Sequence, residues 1–166
     1  MFHEVMVLMG YAAAVTSKIG LGTAVMILPQ RQAVLVAKQA AEVDVLSGGR
    51  LRLGVGLGWN KVEYDALDMK FPNRARRFVE QIDVMRQLWS NRVVAYDGEF
   101  HKFDSAGINP EPVQRPIPVW IGAMNDVAIR RAAQIADGWF MFPRQDPSDE
   151  AHAKLSMFRQ TAAEAG

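Results

Sequence analysis

Two periods of apolar residues alternate along this chain, and the switches between them mark out its elements. Residues 4–15 are apolar nearly all round, which predicts a helix enclosed on several sides. Ile19 to Ile27 then alternates with period two, so Ile19, Leu21, Thr23 and Val25 share one face of a strand closed by Pro29. From Gln32 to Leu46 the spacing is helical. Val34, Ala37, Ala41 and Val45 form its buried stripe, with Lys38, Gln39 and Glu42 facing away and Gly48-Gly49 as the stop signal. Arg50 to Leu57 returns to period two, with Leu51, Leu53, Val55 and Leu57 on one face and glycines on the other.

A strand, helix and strand within about forty residues is the size of a parallel crossover unit, and such crossovers are right-handed. After a loop carrying Trp59 and Tyr64, Pro72-Asn73 opens a helix whose buried stripe is Phe78, Ile82, Met85 and Trp89. Arg76 and Glu80 stand one turn apart on it and are expected to pair. Val93 to Tyr96 and Glu99 to Phe103 flank Asp97-Gly98, the signature of a two-residue hairpin turn, which reads as an excursion outside the main sheet. Pro110 to Pro118 reads as an extended connection. Pro118 to Gly122 is then a strand, Asn125 to Ala136 a helix, Trp139 to Phe142 a strand and Glu150 to Ala163 a last helix. Strands alternating with helices specify a parallel sheet with helices on it, in one domain over 1–166, and four strands do not close an eight-stranded barrel.

The first two strands carry glycine or alanine opposite their branched residues. Two explanations stand side by side: close backbone approach or bending in a curved sheet, and a cavity with room for a flat ligand. The carboxyl ends of parallel strands, where ligands collect in such folds, are apolar and aromatic here, as suits a large heterocycle. Gly122-Ala123 leads into a helix near Asn125 whose free N–H groups are able to take a phosphate. Gly54, Gly56 and Gly58 do not have the spacing of a dinucleotide fingerprint.

Other chemistry is thinly represented. His3, His101 and His152 lack ligand-spaced partners, so no metal site is expected. His101, beside Lys102 in the hairpin, is expected to be exposed, Asp44 to lie near a helix end, and Asp137-Gly138 to supply a turn. No serine has a base that would argue a hydrolase triad.

Of the 166 residues, 49% are hydrophobic and 22% charged, and the net charge is +1. That balance gives no electrostatic case for nucleic acid or an anionic membrane as partner. Lys70, Arg74, Arg76 and Arg77 are locally basic, but Glu80 and Asp83 on the same helix read as their counter-charges on a solvated face. There is no cysteine. The apolar run Val5 to Val15, which contains Ala12-x-Ala14 in the manner of a cleavage site, has His3 and Glu4 where a signal peptide carries Lys or Arg. It is too short to span a bilayer, so a cytoplasmic protein is expected.

Together, Ile19-Gly-Leu-Gly-Thr-Ala-Val25, Leu28-Pro29 through Ala37-Lys-Gln-Ala40, Leu46 through Trp59, Pro118-Val-Trp-Ile-Gly122 and Ala136-Asp-Gly-Trp139 closely resemble the bacterial luciferase-like family of flavin- and deazaflavin-dependent oxidoreductases. The likeness is greatest to its deazaflavin branch. The resemblance implies a partial (β/α)8 TIM-type barrel holding about the family's third to sixth strands, with an inserted β-hairpin. It implies the deazaflavin coenzyme F420 as cofactor, with FMN as the alternative, and a small organic molecule as substrate. By position, Thr23, Ala24 and Val25 fall behind the ring, with a non-proline cis peptide at Ala24-Val25. Gly58, Trp59 and Asn60 fall at the ring's edge, and Gly122, Ala123, Met124 and Asn125 at the phosphate. The family's acid-base histidine follows a strand that this chain lacks, so no catalytic residue is assigned. Three other readings stand beside this one: an FMN-dependent monooxygenase, a non-catalytic flavin-binding or assembly protein pairing with another copy through its open strand edges, and, on fold analogy alone, a phosphate-binding barrel lyase.

Overall fold

A computed structural model describes residues 3–141 and 149–166. Its main sheet is parallel. Strands β1 (Leu21–Gly22) and β2 (Met26–Ile27) both pair with β3 (Leu51–Gly56), which pairs with β6 (Val119–Gly122), which pairs with β7 (Gly138–Phe140). Strands β4 (Val94–Asp97) and β5 (Lys102–Ala106) form a separate antiparallel ribbon, outside the main sheet as the sequence suggests.

The strand expected over Ile19–Ile27 is broken in two, and the register shows why. Leu21 lies opposite Leu51 and Met26 opposite Val55, so five steps on one strand face four on its neighbour. One extra residue is a bulge, and a one-residue slip turns every later side chain to the other face. Met26 therefore takes the buried position expected of Val25, and Val25 turns toward Gly56. The break holds a cis peptide at Ala24–Val25, as the family resemblance implies. Thr23 ties it to β3 by donating its hydroxyl to the Gly54 carbonyl at 2.6 Å.

On one side of the sheet Leu21, Met26, Leu51, Leu53, Val55, Val119 and Ile121 are buried under the helices. The other side is not bare. The register sets Trp120 opposite both Gly54 and Gly138, and Gly122 opposite Phe140, and the Trp120 and Phe140 rings pack 5.2 Å apart. A Cβ on Gly138 would enter the Trp120 indole, and one on Gly54 would strike the Thr23 carbonyl and the Phe140 ring. At Gly54 the structure therefore favours close approach, the first of the two explanations, over an open cavity, and Gly138, expected only in a turn, gives way to the Trp120 ring.

Helix α1 (Val5–Val15) begins at Glu4, whose carboxylate accepts the Val7 N–H at 2.8 Å. It packs on helix α2 (Ala33–Ser47) and on β1, and only Met6 and Ala13 are buried. The expected enclosure is thus corrected to one-sided packing, with Val7 73% and Tyr11 67% exposed. Helix α2 ends at Gly48 in the left-handed conformation. Its buried set is wider than a single stripe, because α1, helix α4 (Arg74–Ser90) and β3 flank it: Val36, Ala40 and Val43 are inside, while Val34 is only half-buried and Val45 is exposed. Asp44, three residues before the helix end, is fully buried and accepts the Gln114 backbone N–H at 2.9 Å and side-chain amide at 2.7 Å.

The loop expected after β3 contains a short helix, α3 (Lys61–Ala66). Helix α4 (Arg74–Ser90) buries Phe78, Ile82, Met85 and Trp89 as the spacing predicts. The expected Arg76–Glu80 pair does not form, because Glu80 accepts the N–H groups of Glu99, Phe100 and His101 and lies 2.8 Å from His101 Nδ1. Arg76 pairs with Glu99 instead. The same carboxylate explains two further corrections. The ribbon turns through the four residues 98–101 rather than two, since Asp97 pairs with Lys102, and the His101 side chain is only 13% exposed.

Helix α5 (Asp126–Ile135) follows β6, and helix α6 (Asp149–Ala165) packs on α5. Asp137 is more than a turn residue: its carboxylate accepts the Val119 N–H and pairs with Arg86, each at 2.8 Å. Phe142, expected to end the last strand, lies outside the described residues. No described helix is long and apolar enough to cross a membrane.

Candidate cofactor site at the carboxyl ends of the strands

Parallel pairing brings three of the sequence-predicted segments to one edge of the sheet. Ile27 lies opposite Gly56, Val55 opposite Ile121 and Gly122 opposite Phe140, so the chain beyond each emerges on the same side. Ala24 is exposed and Val25 half-buried at the bulge. Thr23 is different: 1% exposed and bonded to Gly54, it is a strut between strands rather than part of a lining.

Gly58 has φ +68°, which favours glycine, and a Cβ there would meet the Ile27 side chain. That turn projects Trp59, 86% exposed, beyond the sheet. Asn60 starts α3, accepting the Val62 N–H and donating to Glu63 Oε1 at 3.0 Å. The second Glu63 oxygen accepts from Gln30 at 3.1 Å, which links the segment after β2 to the segment after β3. Beneath them Tyr64 is buried and donates its hydroxyl to the Leu57 carbonyl. Burial pushes its pKa up to about 12, against the pull of Arg74 and Arg77.

After β6, Ala123 is buried and its carbonyl accepts the Trp139 indole N–H at 3.0 Å, while Met124 projects outward, 66% exposed. Asn125 caps α5 by accepting the Ala128 N–H at 2.9 Å. The N–H groups of Asp126 and Val127 point the same way along the helix axis, as the first donors of a helix do. An open groove of about 650 Å3 runs from Leu57 past this helix start to Arg131 and to Lys154 of α6.

Sequence reasoning missed two basic residues. Glu80 is held by the ribbon turn, and Asp83 accepts from Tyr96 and Gln87, so neither answers Arg74 or Arg77. Arg74 lies 3.7 Å over the Phe71 ring and Arg77 donates to Met69 Sδ, and the Nε atom of each is buried without an acceptor. Asn73, at the start of α4, makes no capping bond, and its Oδ1 is buried without a donor. Cations in the first turn of an uncapped helix stand against its dipole. Their spacing was visible in the sequence, but the diversion of Glu80 and Asp83 was not.

These residues fit a flavin-like cofactor with a phosphate. Trp59 and Met124 offer exposed apolar surface at the strand ends, and the head of α5 offers backbone donors. Arg74 and Arg77, whose Nε atoms are buried and unsatisfied, add positive charge near Tyr64. Among the described residues, no group of three or more His, Cys, Asp or Glu is placed to hold a metal ion.

Comparison with known proteins agrees with this arrangement. A family model described as luciferase-like monooxygenase matches residues 1–166. An uncharacterised protein of Mycobacterium tuberculosis is 42% identical over 145 residues, covering 86% of this chain and 51% of that protein. The monooxygenase RslO1 of Streptomyces bottropensis superposes with a TM-score of 0.88 at 26% identity, over 98% of this chain and 50% of its own. The coenzyme F420-dependent tetrahydromethanopterin reductase of Methanopyrus kandleri superposes with a TM-score of 0.83 at 26% identity, over 99% and 51%. The chain thus spans about half the length of the relatives it matches, and its mostly parallel α/β sheet is a partial barrel of their kind.

Proposed function

Since this chain belongs to the luciferase-like monooxygenase family, we propose that it carries the cofactor-binding half of a deazaflavin-dependent oxidoreductase acting on a small organic molecule. The observation that carries this reading is the convergence, at the carboxyl ends of β2, β3 and β6, of an exposed apolar rim with the backbone donors of α5. When bound, the deazaflavin ring supplies two-electron chemistry by giving or taking a hydride, and the protein supplies position and electrostatics.

In this reading Ala24 and Val25 back the ring, and Gly58, Trp59 and Asn60 line its edge. Glu63, holding both Asn60 and Gln30, fixes that edge in place. Gly122, Ala123, Met124 and Asn125 bring the phosphate to the head of α5, while Arg74 and Arg77 add positive charge on the Tyr64 side. Similarity to the Methanopyrus reductase supports the deazaflavin. Similarity to the Streptomyces monooxygenase supports the monooxygenase part of the second reading, an FMN-dependent monooxygenase. A cytoplasmic location belongs to the same proposal, as does pairing of β1 and β7, each bonded on one side only among the described residues, with a second copy.

Titration of the purified chain with coenzyme F420 and with FMN, followed by absorbance and tryptophan fluorescence, tests the assignment. Saturable binding of F420 in preference to FMN is expected. Saturable binding of FMN alone overturns the deazaflavin reading in favour of the second one.

A further inference from the structure

Arg131 lies on the second turn of α5, facing α6 across the groove. The other cation of that groove, Lys154, is held by Glu150 at 2.6 Å. Arg131 is half-buried and makes no hydrogen bond or ion pair among the described residues. Withdrawal from water costs a guanidinium free energy unless an anion answers it, and it lowers the pKa of Arg131. Asp126 also lines the groove, but it belongs to the first turn of the helix, where a carboxylate complements the dipole.

Geometry orders these groups along a line. Asn125 and Arg131 are six residues apart on one helix, about 9 Å along its axis. A phosphate bound at the head of α5 would sit beside Asn125, and Arg131, farther along the same helix, lines the same groove with Lys154. A cofactor that ends at its phosphate does not extend along that path. A deazaflavin coenzyme continues past the phosphate into a tail of glutamyl carboxylates, and the guanidinium fork matches a carboxylate in two parallel hydrogen bonds.

We propose that Arg131 receives a carboxylate of an oligoglutamyl cofactor tail lying in the groove between α5 and α6, which makes it a residue that selects the deazaflavin over FMN. The inference rests on the deazaflavin reading and deepens it.

Three probes test it on the wild type and on Arg131→Gln, Arg131→Lys and Asp126→Asn: F420 with its glutamyl tail, the tail-free and phosphate-free deazaflavin riboside, and FMN. Arg131→Gln is expected to weaken F420 about tenfold and to leave the riboside and FMN unchanged. Arg131→Lys restores part of the loss, and Asp126→Asn tightens F420 about threefold by removing a like charge. Equal weakening of F420 and FMN would place Arg131 on the phosphate and overturn the tail assignment, as would no effect on any probe. A fourth arm separates the two readings: triglutamate with γ-linkages, followed by the NMR signal of the Arg131 Nε–H. A saturable shift of that signal supports the tail site even where no ring binds, which sinks the deazaflavin function alone. Absence of a shift overturns the inference even where the ring does bind.

Discussion

The Tyr64 hydroxyl donates to the carbonyl of Leu57, so a side chain of α3 holds the end of β3 just before the chain turns at Gly58. Tyr64 also meets Phe71 edge to face at 5.2 Å, which links that strand end to the approach to α4. Replacing Tyr64 with Phe keeps the ring and leaves the carbonyl without its donor. A loss of about 1 to 2 kcal/mol is expected in urea denaturation, together with weaker cofactor binding as the Gly58–Asn60 turn loosens.

The same hydroxyl sets a pH dependence. Its pKa is raised to about 12 from 10.0, so the folded chain holds this proton more tightly than the unfolded one. The stabilisation is complete below about pH 10 and is lost as pH rises through about 12. Ultraviolet titration of tyrosinate should show Tyr64 ionising above the ordinary tyrosine range, and Tyr64→Phe should flatten the alkaline limb of the stability curve.

Glu80 predicts the opposite limb. Burial alone would raise its pKa, but the His101 side chain and the N–H groups of Phe100, His101 and Glu99 outweigh it and hold the carboxyl below 4.5. A lowered carboxyl contributes stability above its unfolded pKa that is lost as pH falls through the folded one. Glu80→Gln should cost about 1.5 to 3 kcal/mol near neutral pH, speed hydrogen exchange at the amides of residues 99–101, and weaken the acid dependence.

Two glycines of β3 differ in what they approach. At Gly54 a Cβ would strike the Thr23 backbone, which has little freedom to yield, whereas at Gly56 it would meet the Val25 methyl at 2.8 Å. Gly54→Ala should therefore cost about 3 kcal/mol or more and Gly56→Ala about 1 kcal/mol, in the order read from chemical denaturation midpoints.

Arg77 tests the cationic side of the site. It has no carboxylate partner among the described residues and occupies the first turn of α4, so Arg77→Gln should change thermal stability by less than about 0.5 kcal/mol. Cofactor affinity measured by fluorescence titration should fall about tenfold. Unchanged affinity would remove Arg77 from the site.

Element types were mostly legible in the sequence because the two apolar periods are clean: β3, β6 and the buried stripe of α4 follow them directly. What escaped depends on contacts between distant segments. The bulge at Thr23–Val25 shows only against the register of Leu51 and Val55. The four-residue ribbon turn arises because Glu80, from another element, gathers its N–H groups. The glycine face read as empty because alternation says which side a residue faces, but not that Trp120 and Phe140 lie across from the glycines on neighbouring strands. Of the candidate residues, Thr23 proved to be internal support, and Arg74 and Arg77 became visible once their expected counter-charges were found elsewhere.

The meshing of Gly138 with Trp120 ties two positions into one volume. Neither is free to vary by itself: a larger residue at 138 demands a smaller one at 120, so drift at this pair should proceed by compensated double changes, and single exchanges should be purged.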